Sequence, residues 1–319
     1  MDSVIVLTID CEKNDGPQLA KTFNIQGYPT FVLANNQAQT LYRWWGYEKD
    51  FFLTSLKAGL ADLTTIDEKI VRFKSEPDSS TAVALASYYD TQEAYSDAIT
   101  YYKKAAELSN FSKDYGFEIF MDYYSGYRSD QFTNDELKNS AKNALVSTSI
   151  ESEEKGQVYY YMSNMITKNN NDSDFLNFIK NGQEYFTELT DKKYERQKEA
   201  INILYTLYVD KNPDKAIELK KAGLTDGWDE DASELNGFSW WCFEHKINLD
   251  EAERLARKGA ELAEPGSEKA MILDTVAEIV NLKGNTENAI AITKLAIQES
   301  PQRKYYQDQL KRFEKLIKK

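Results

Sequence analysis

Apolar and polar positions alternate in two different rhythms along this chain, and the rhythm changes near residue 62. Before that point the apolar runs are short and β-branched. Val4-Ile5-Val6-Leu7-Thr8-Ile9 is bounded by Asp10 and predicts a buried strand. Asp15-Gly16-Pro17 opens a short helix over 18–23, with proline in the first turn where its missing N–H costs nothing. Gly27-Tyr28-Pro29 breaks the chain. Strands follow over 30–33 and 39–45, turned by Asn35-Asn36-Gln37 into a hairpin. Gly46 ends the hairpin, and 50–60 reads as a helix with Phe51, Phe52, Leu56 and Leu60 on its apolar face.

From Leu63 onward the period becomes helical. The clearest unit spans 79–110, with Ala82, Leu85, Ala86 and Tyr89 on a first helix and Tyr95, Ala98, Tyr102 and Ala105 on a second. A similar unit spans 271–301, with Gly284 at its turn and Pro301 as its stop. Looser pairs join 235–244 to 251–263 and 195–209 to 214–224, and 303–319 reads as a closing helix. Between 112 and 190 helices are expected without a clear register. The overall expectation is a mostly α chain of about nine to twelve helices.

Composition removes whole classes of function. The chain has 319 residues, with 39 lysines and arginines against 52 acidic residues, a net charge of −13. That balance disfavours nucleic acid and anionic membrane surfaces, since no excess of cations is present to neutralise phosphates. The apolar share of 41% suits a folded chain, and no apolar run reaches the roughly 20 residues of a membrane helix. One histidine and two cysteines, far apart in sequence, make no zinc site and at most one disulfide. No metal and no cofactor is expected. Met1-Asp2-Ser3 lacks the basic start of a signal peptide, which leaves the compartment unassigned.

The order strand, helix, proline turn, hairpin, helix resembles the second half of a thioredoxin domain. The resemblance rests on Leu7–Asp10, on Leu19–Ile25, on Gly27-Tyr28-Pro29-Thr30-Phe31 and on Arg43-Trp44-Trp45-Gly46-Tyr47. It covers about 60 residues and implies a boundary between residues 1–62, the C-terminal half of a thioredoxin-like domain, and 63–319. The second region resembles a tetratricopeptide-like helical solenoid, whose repeat is ~34 residues. The fold expected is therefore an incomplete thioredoxin-like α/β segment followed by that solenoid. The arrangement is similar to bacterial envelope proteins that join the two, which implies a periplasmic location for a longer precursor. The simplest expectation is that the chain is an N-terminally shortened piece of such a protein.

The resemblance implies that Pro29 is cis, that Tyr28, Pro29 and Thr30 border a substrate groove, and that the family chemistry is thiol–disulfide exchange. No Cys-x-x-Cys occurs in the chain, so the resemblance implies an inactive piece with no catalytic residue. Cys11 is read as a small turn residue or an auxiliary thiol, and Cys242, within Trp240–Phe243, as a buried inert thiol. His245 is read as a helix-end residue favoured by the dipole. The acidic groups Glu151/Glu153/Glu154 and Asp226/Asp229/Glu230/Asp231 read as solvated helix-start charge, and the second group lacks calcium-loop spacing. Paired tyrosines offer either helix wedges or a peptide groove, for which Tyr89, Tyr102, Tyr124 and Tyr160 are the candidates. The expected partner is a protein or peptide. The alternative to a redox role is a non-enzymatic binding scaffold.

Overall fold

The computed structural model describes residues 4–169 and 172–317. Among these the chain is mostly helical, with sixteen α-helices and one two-stranded antiparallel sheet. The helix count exceeds the nine to twelve expected. The region of poor register supplies four full helices of its own between residues 116 and 188. The chain divides into two compact units, residues 1–162 and 163–319, and the change from mixed α/β to all-helical falls inside the first.

The first unit starts with α1 (Gly16–Thr22), β1 (Thr30–Ala34), β2 (Thr40–Trp45) and α2 (Lys49–Ala61). It continues with α3 (Ile66–Ser75), α4 (Ser79–Asp90), α5 (Tyr95–Leu108), α6 (Gly116–Arg128), α7 (Asn134–Leu145) and α8 (Ser152–Asn164). The helix starts are written locally. Thr65 with Glu68, and Thr133 with Glu136, form reciprocal capping boxes, while Asp78 caps α4 by accepting from the Thr81 N–H.

The hairpin pairs Phe31 with Trp44 and Leu33 with Tyr42. One of its faces packs Phe31, Leu33, Tyr42 and Trp44 against Phe52 and Leu56 of α2 and Ala84 of α4. Gly59 lets α2 approach this face, because a Cβ there would stand 2.8 Å from Tyr42 Cβ. The β2 edge is covered by side chains of helices. Lys69 Nζ donates to the Leu41 carbonyl at 3.1 Å, and Ser87 Oγ donates to the Arg43 carbonyl at 2.7 Å. Arg43, itself buried, donates to the carbonyls of Phe23 at 2.6 Å and Thr91 at 3.4 Å, tying the end of α1 and the end of α4 to the strand.

The strand expected over 4–9 does not form. Residues 4–10 have no regular structure, and Ile5, Val6 and Leu7 are 88%, 73% and 77% exposed. The β-branched run has the propensity, but a strand needs a ladder partner. Lys69 and Ser87 already occupy the outward carbonyls of β2, and among the described residues the sheet consists of β1 and β2.

The second unit contains α9 (Ser173–Glu188), α10 (Glu195–Tyr208), α11 (Pro213–Ala222), α12 (Ala232–His245) and α13 (Leu249–Leu262). It ends with α14 (Ser267–Leu282), α15 (Thr286–Glu299) and α16 (Lys304–Ile317). Helix α10 packs on α9 and on α11, and from α12 to α16 each helix packs on the next. Leu235, Phe238, Ala252, Leu255, Val276, Val280 and Ile292 form one core cluster, and Phe313 of α16 belongs to it. Gly259 brings α13 close to α12, where a Cβ would sit 3.2 Å from the Ala232 carbonyl. Gly284 takes φ +90 at the α14–α15 turn, the left-handed conformation for which its lack of Cβ suits it.

Candidate functional site

Two places in the first unit gather side chains that structure does not fully consume. One is the turn before β1. The Tyr28–Pro29 bond is cis, Pro29 is exposed, and Tyr28 is 68% exposed. Thr30 Oγ1 donates to the Gly27 carbonyl at 2.6 Å, and the Gly46 N–H donates to the Pro29 carbonyl at 3.0 Å, which closes the turn onto the end of the hairpin. The Tyr28 hydroxyl lies near the half-buried Cys11 thiol. The structure thus brings Cys11 to the turn formed by Tyr28, Pro29 and Thr30.

The other is an open cleft of about 400 Å³ between α5, α6 and α7. Its polar lining is of two kinds. Asp114 and Glu136 are committed to the protein. Burial alone would raise the Asp114 carboxyl, but the Ser147 hydroxyl at 2.6 Å and the Gly116 and Thr148 N–H groups outweigh it and hold it below the usual range. Glu136 is held low by the backbone N–H and hydroxyl of Thr133 in the capping box. Lys103, Asn139 and Asn143 are exposed, and their side chains make no hydrogen bond or ion pair among the described residues. Asn139 and Asn143 lie four apart on α7 and so share a face of that helix, with Tyr123 and Ile119 of α6 also lining the cleft.

The four tyrosines proposed for a groove sit elsewhere. Tyr89 stacks on Tyr101 at 5.4 Å, and buried Tyr102 stacks on Tyr115 at 5.5 Å. Tyr124 stacks on Tyr161 at 4.8 Å, and Tyr160 also touches Tyr161 at 5.9 Å. Tyr124 and Tyr160 therefore share one neighbour, while Tyr89 and Tyr102 belong to separate ring pairs. None of the four lines the cleft, whose tyrosine is Tyr123. The sequence signal that could have found the cleft is the Asn139/Asn143 spacing on a face otherwise rich in charge.

In the second unit, Cys242 is fully buried, and burial with the nearby Glu251 carboxylate pushes its thiol up to about 12. His245 lies in the last turn of α12, as the dipole reading expects, but that reading assumes an imidazolium. Burial and the Lys220 cation lower its pKa to about 4, so the ring is neutral, and its Nδ1 shares a 2.7 Å hydrogen bond with the Tyr208 hydroxyl. Dehydrating the ring outweighs the half-charge of the helix end.

Both cysteines are free thiols. Among the described residues no three histidine, cysteine or acidic side chains are grouped to hold a metal ion, and no helix is long and apolar enough to cross a membrane. The chain matches no protein-family model and no curated protein.

Proposed function

We propose that this protein is a non-enzymatic scaffold that binds an extended segment of another protein, with the α5–α6–α7 cleft as the contact. The observation that carries the reading is the set of uncommitted groups there: the Lys103 ammonium and the Asn139 and Asn143 amides. A primary amide both donates and accepts, which matches the alternating N–H and C=O groups of an extended main chain. Two amides one helical turn apart, ~6 Å along the axis, suit successive peptide groups on one side of such a chain. The resemblance of residues 63–319 to tetratricopeptide-like arrays points the same way, and a net charge of −13 favours neutral or basic partners.

The test is an array of unstructured decapeptides probed with the full chain and with an N139A/N143A variant of unchanged far-UV spectrum. Saturable binding to a subset of peptides, weakened about tenfold or more in the variant, supports the reading. Equal binding by both proteins, or none by either, overturns it.

A second reading, membership of the thioredoxin-like family with a role in thiol–disulfide exchange, is favoured by the Cys11 thiol beside Tyr28 at the Pro29 turn. With no Cys-x-x-Cys in the chain, insulin reduction is expected at the rate of a buffer control. A rate above that control would transfer the chemistry to Cys11 and favour this second reading.

A further inference from the structure

Trp45, Asp90 and Asp122 come from three different elements, β2, α4 and α6, and meet in the interior of the first unit. The Trp45 Nε1–H donates to Asp90 Oδ2 at 2.8 Å. The Asp90 and Asp122 carboxyls are in hydrogen-bonding contact with each other. Asp122 is only 2% exposed, and its Oδ2 receives no N–H or O–H donor from the protein.

Two ionised carboxylates are both acceptors, so their contact is bonding only when one of them carries a proton. The surroundings favour that proton. The groups facing the pair are Tyr95 and Tyr102 of α5 and Glu118 of α6, together with the Trp45 indole. All are neutral or acidic. Arg43, the nearest buried cation on β2, spends its guanidinium on the carbonyls of Phe23, Asn24 and Thr91. No lysine or arginine acts on either carboxyl among the described residues.

We propose that Asp90 and Asp122 share a single proton that latches the β-hairpin, through Trp45, to helices α4 and α6, and that losing this proton as pH rises loosens the hairpin. Asp122 holds the proton and donates it to Asp90, which also accepts from Trp45. Burial raises both carboxyls, and the neighbouring carboxylate raises Asp122 further, well above its ordinary value. Once Asp122 ionises, two buried like charges face each other without a counter-ion, and separating them means moving β2 or α6. The same geometry would make the orientation of the hairpin, and of the Tyr28–Pro29 turn that its end closes, sensitive to pH.

The experiment is the Trp45 indole N–H resonance in the ¹⁵N spectrum of the full chain, assigned with W45F and followed from about pH 5 to about pH 9. A titration with a midpoint above the ordinary aspartate range, absent in D122N, supports the latch, because an asparagine donates the same hydrogen bond without a charge to lose. D90N serves as a second variant, since its amide oxygen can still accept from Trp45 and its N–H₂ can donate to Asp122. It should also abolish the titration. A resonance that does not move over this range in the native chain overturns the proposal, as does one that titrates unchanged in both variants.

Discussion

Lys69 is the most deeply buried cation of the helical region, 2% exposed, and its ammonium holds the joint between β2 and α3. Its Nζ donates to the carbonyls of Leu41 at 3.1 Å, Asp62 at 3.0 Å and Thr64 at 2.5 Å, and lies 3.6 Å from the Asp62 carboxylate. Lys69→Met keeps most of the stem and removes these interactions together with a 3.4 Å contact to the Thr64 hydroxyl. The buried Leu41 carbonyl loses its donor, which costs about 2 kcal/mol. The Asp62 and Thr64 carbonyls are half-buried and regain part of their bonding from water, adding about 1 kcal/mol together. The ion pair adds less than about 1 kcal/mol, because Asp62 keeps Arg72 at 2.5 Å. Not having to dehydrate an ammonium returns about 1–2 kcal/mol. The net loss is about 2 kcal/mol, or about a 30-fold rise in local opening. Hydrogen exchange read by mass spectrometry on peptides covering 40–45 and 62–75 measures it directly. Those peptides should lose protection by about that factor while peptides of α12 to α15 do not change. A change below about threefold would mean that dehydration already cancels the ammonium's hydrogen bonds, and the reasoning would fail.

The remaining predictions concern thiols and titration. A thiol reagent should modify Cys11 alone in the native chain, with Cys242 reacting only on unfolding, because Cys242 is fully enclosed and its thiol is pushed to about 12; two fast equivalents per chain would contradict this burial. The single histidine gives one pair of ring C–H resonances, which should stay at their neutral positions down to about pH 5 and titrate near 4. Its folded pKa lies below the unfolded value, so its contribution is present above about pH 6.5 and is lost as pH falls through about 4. Tyr208→Phe should lower stability by about 1 kcal/mol, seen as an earlier urea midpoint in the second unit. Asp274 has the opposite sign. Burial, then the Glu278 carboxylate, raise it to about 6, so its contribution is present below about pH 4 and is lost as pH rises through about 6. Asp274→Asn should therefore gain thermal stability relative to the native chain at pH ~7.5 but not at pH ~4; a difference independent of pH would contradict the assignment.

Much of the secondary structure was legible because its causes are local. Asp78, Thr65 and Thr133 mark helix starts by supplying oxygen to free N–H groups within three residues, and the alanines of α4 and α5 fall on the buried faces that their spacing implies. The hairpin followed from its turn and flanking strands for the same reason. Val4–Ile9 marks the limit. Its β-branched pattern states a preference, but whether it pairs depends on which strand edge is free, and Lys69 and Ser87, far along the chain, had already taken the edge of β2.

The candidate sites divide in the same way. The sequence by itself determined the acidic charge, the absence of a Cys-x-x-Cys and the Gly27–Thr30 turn, since each is a matter of composition or of neighbouring residues. Only the tertiary structure decided that Cys11 lies near Tyr28, that His245 is neutral, that Asp90 faces Asp122, and that Lys103 shares a cleft with Asn139 and Asn143. These depend on distances between residues tens of positions apart and on how much water remains between them. Periodicity along the chain carries neither quantity, because one helix face looks the same to a sequence whether it meets solvent, a neighbour or a charge.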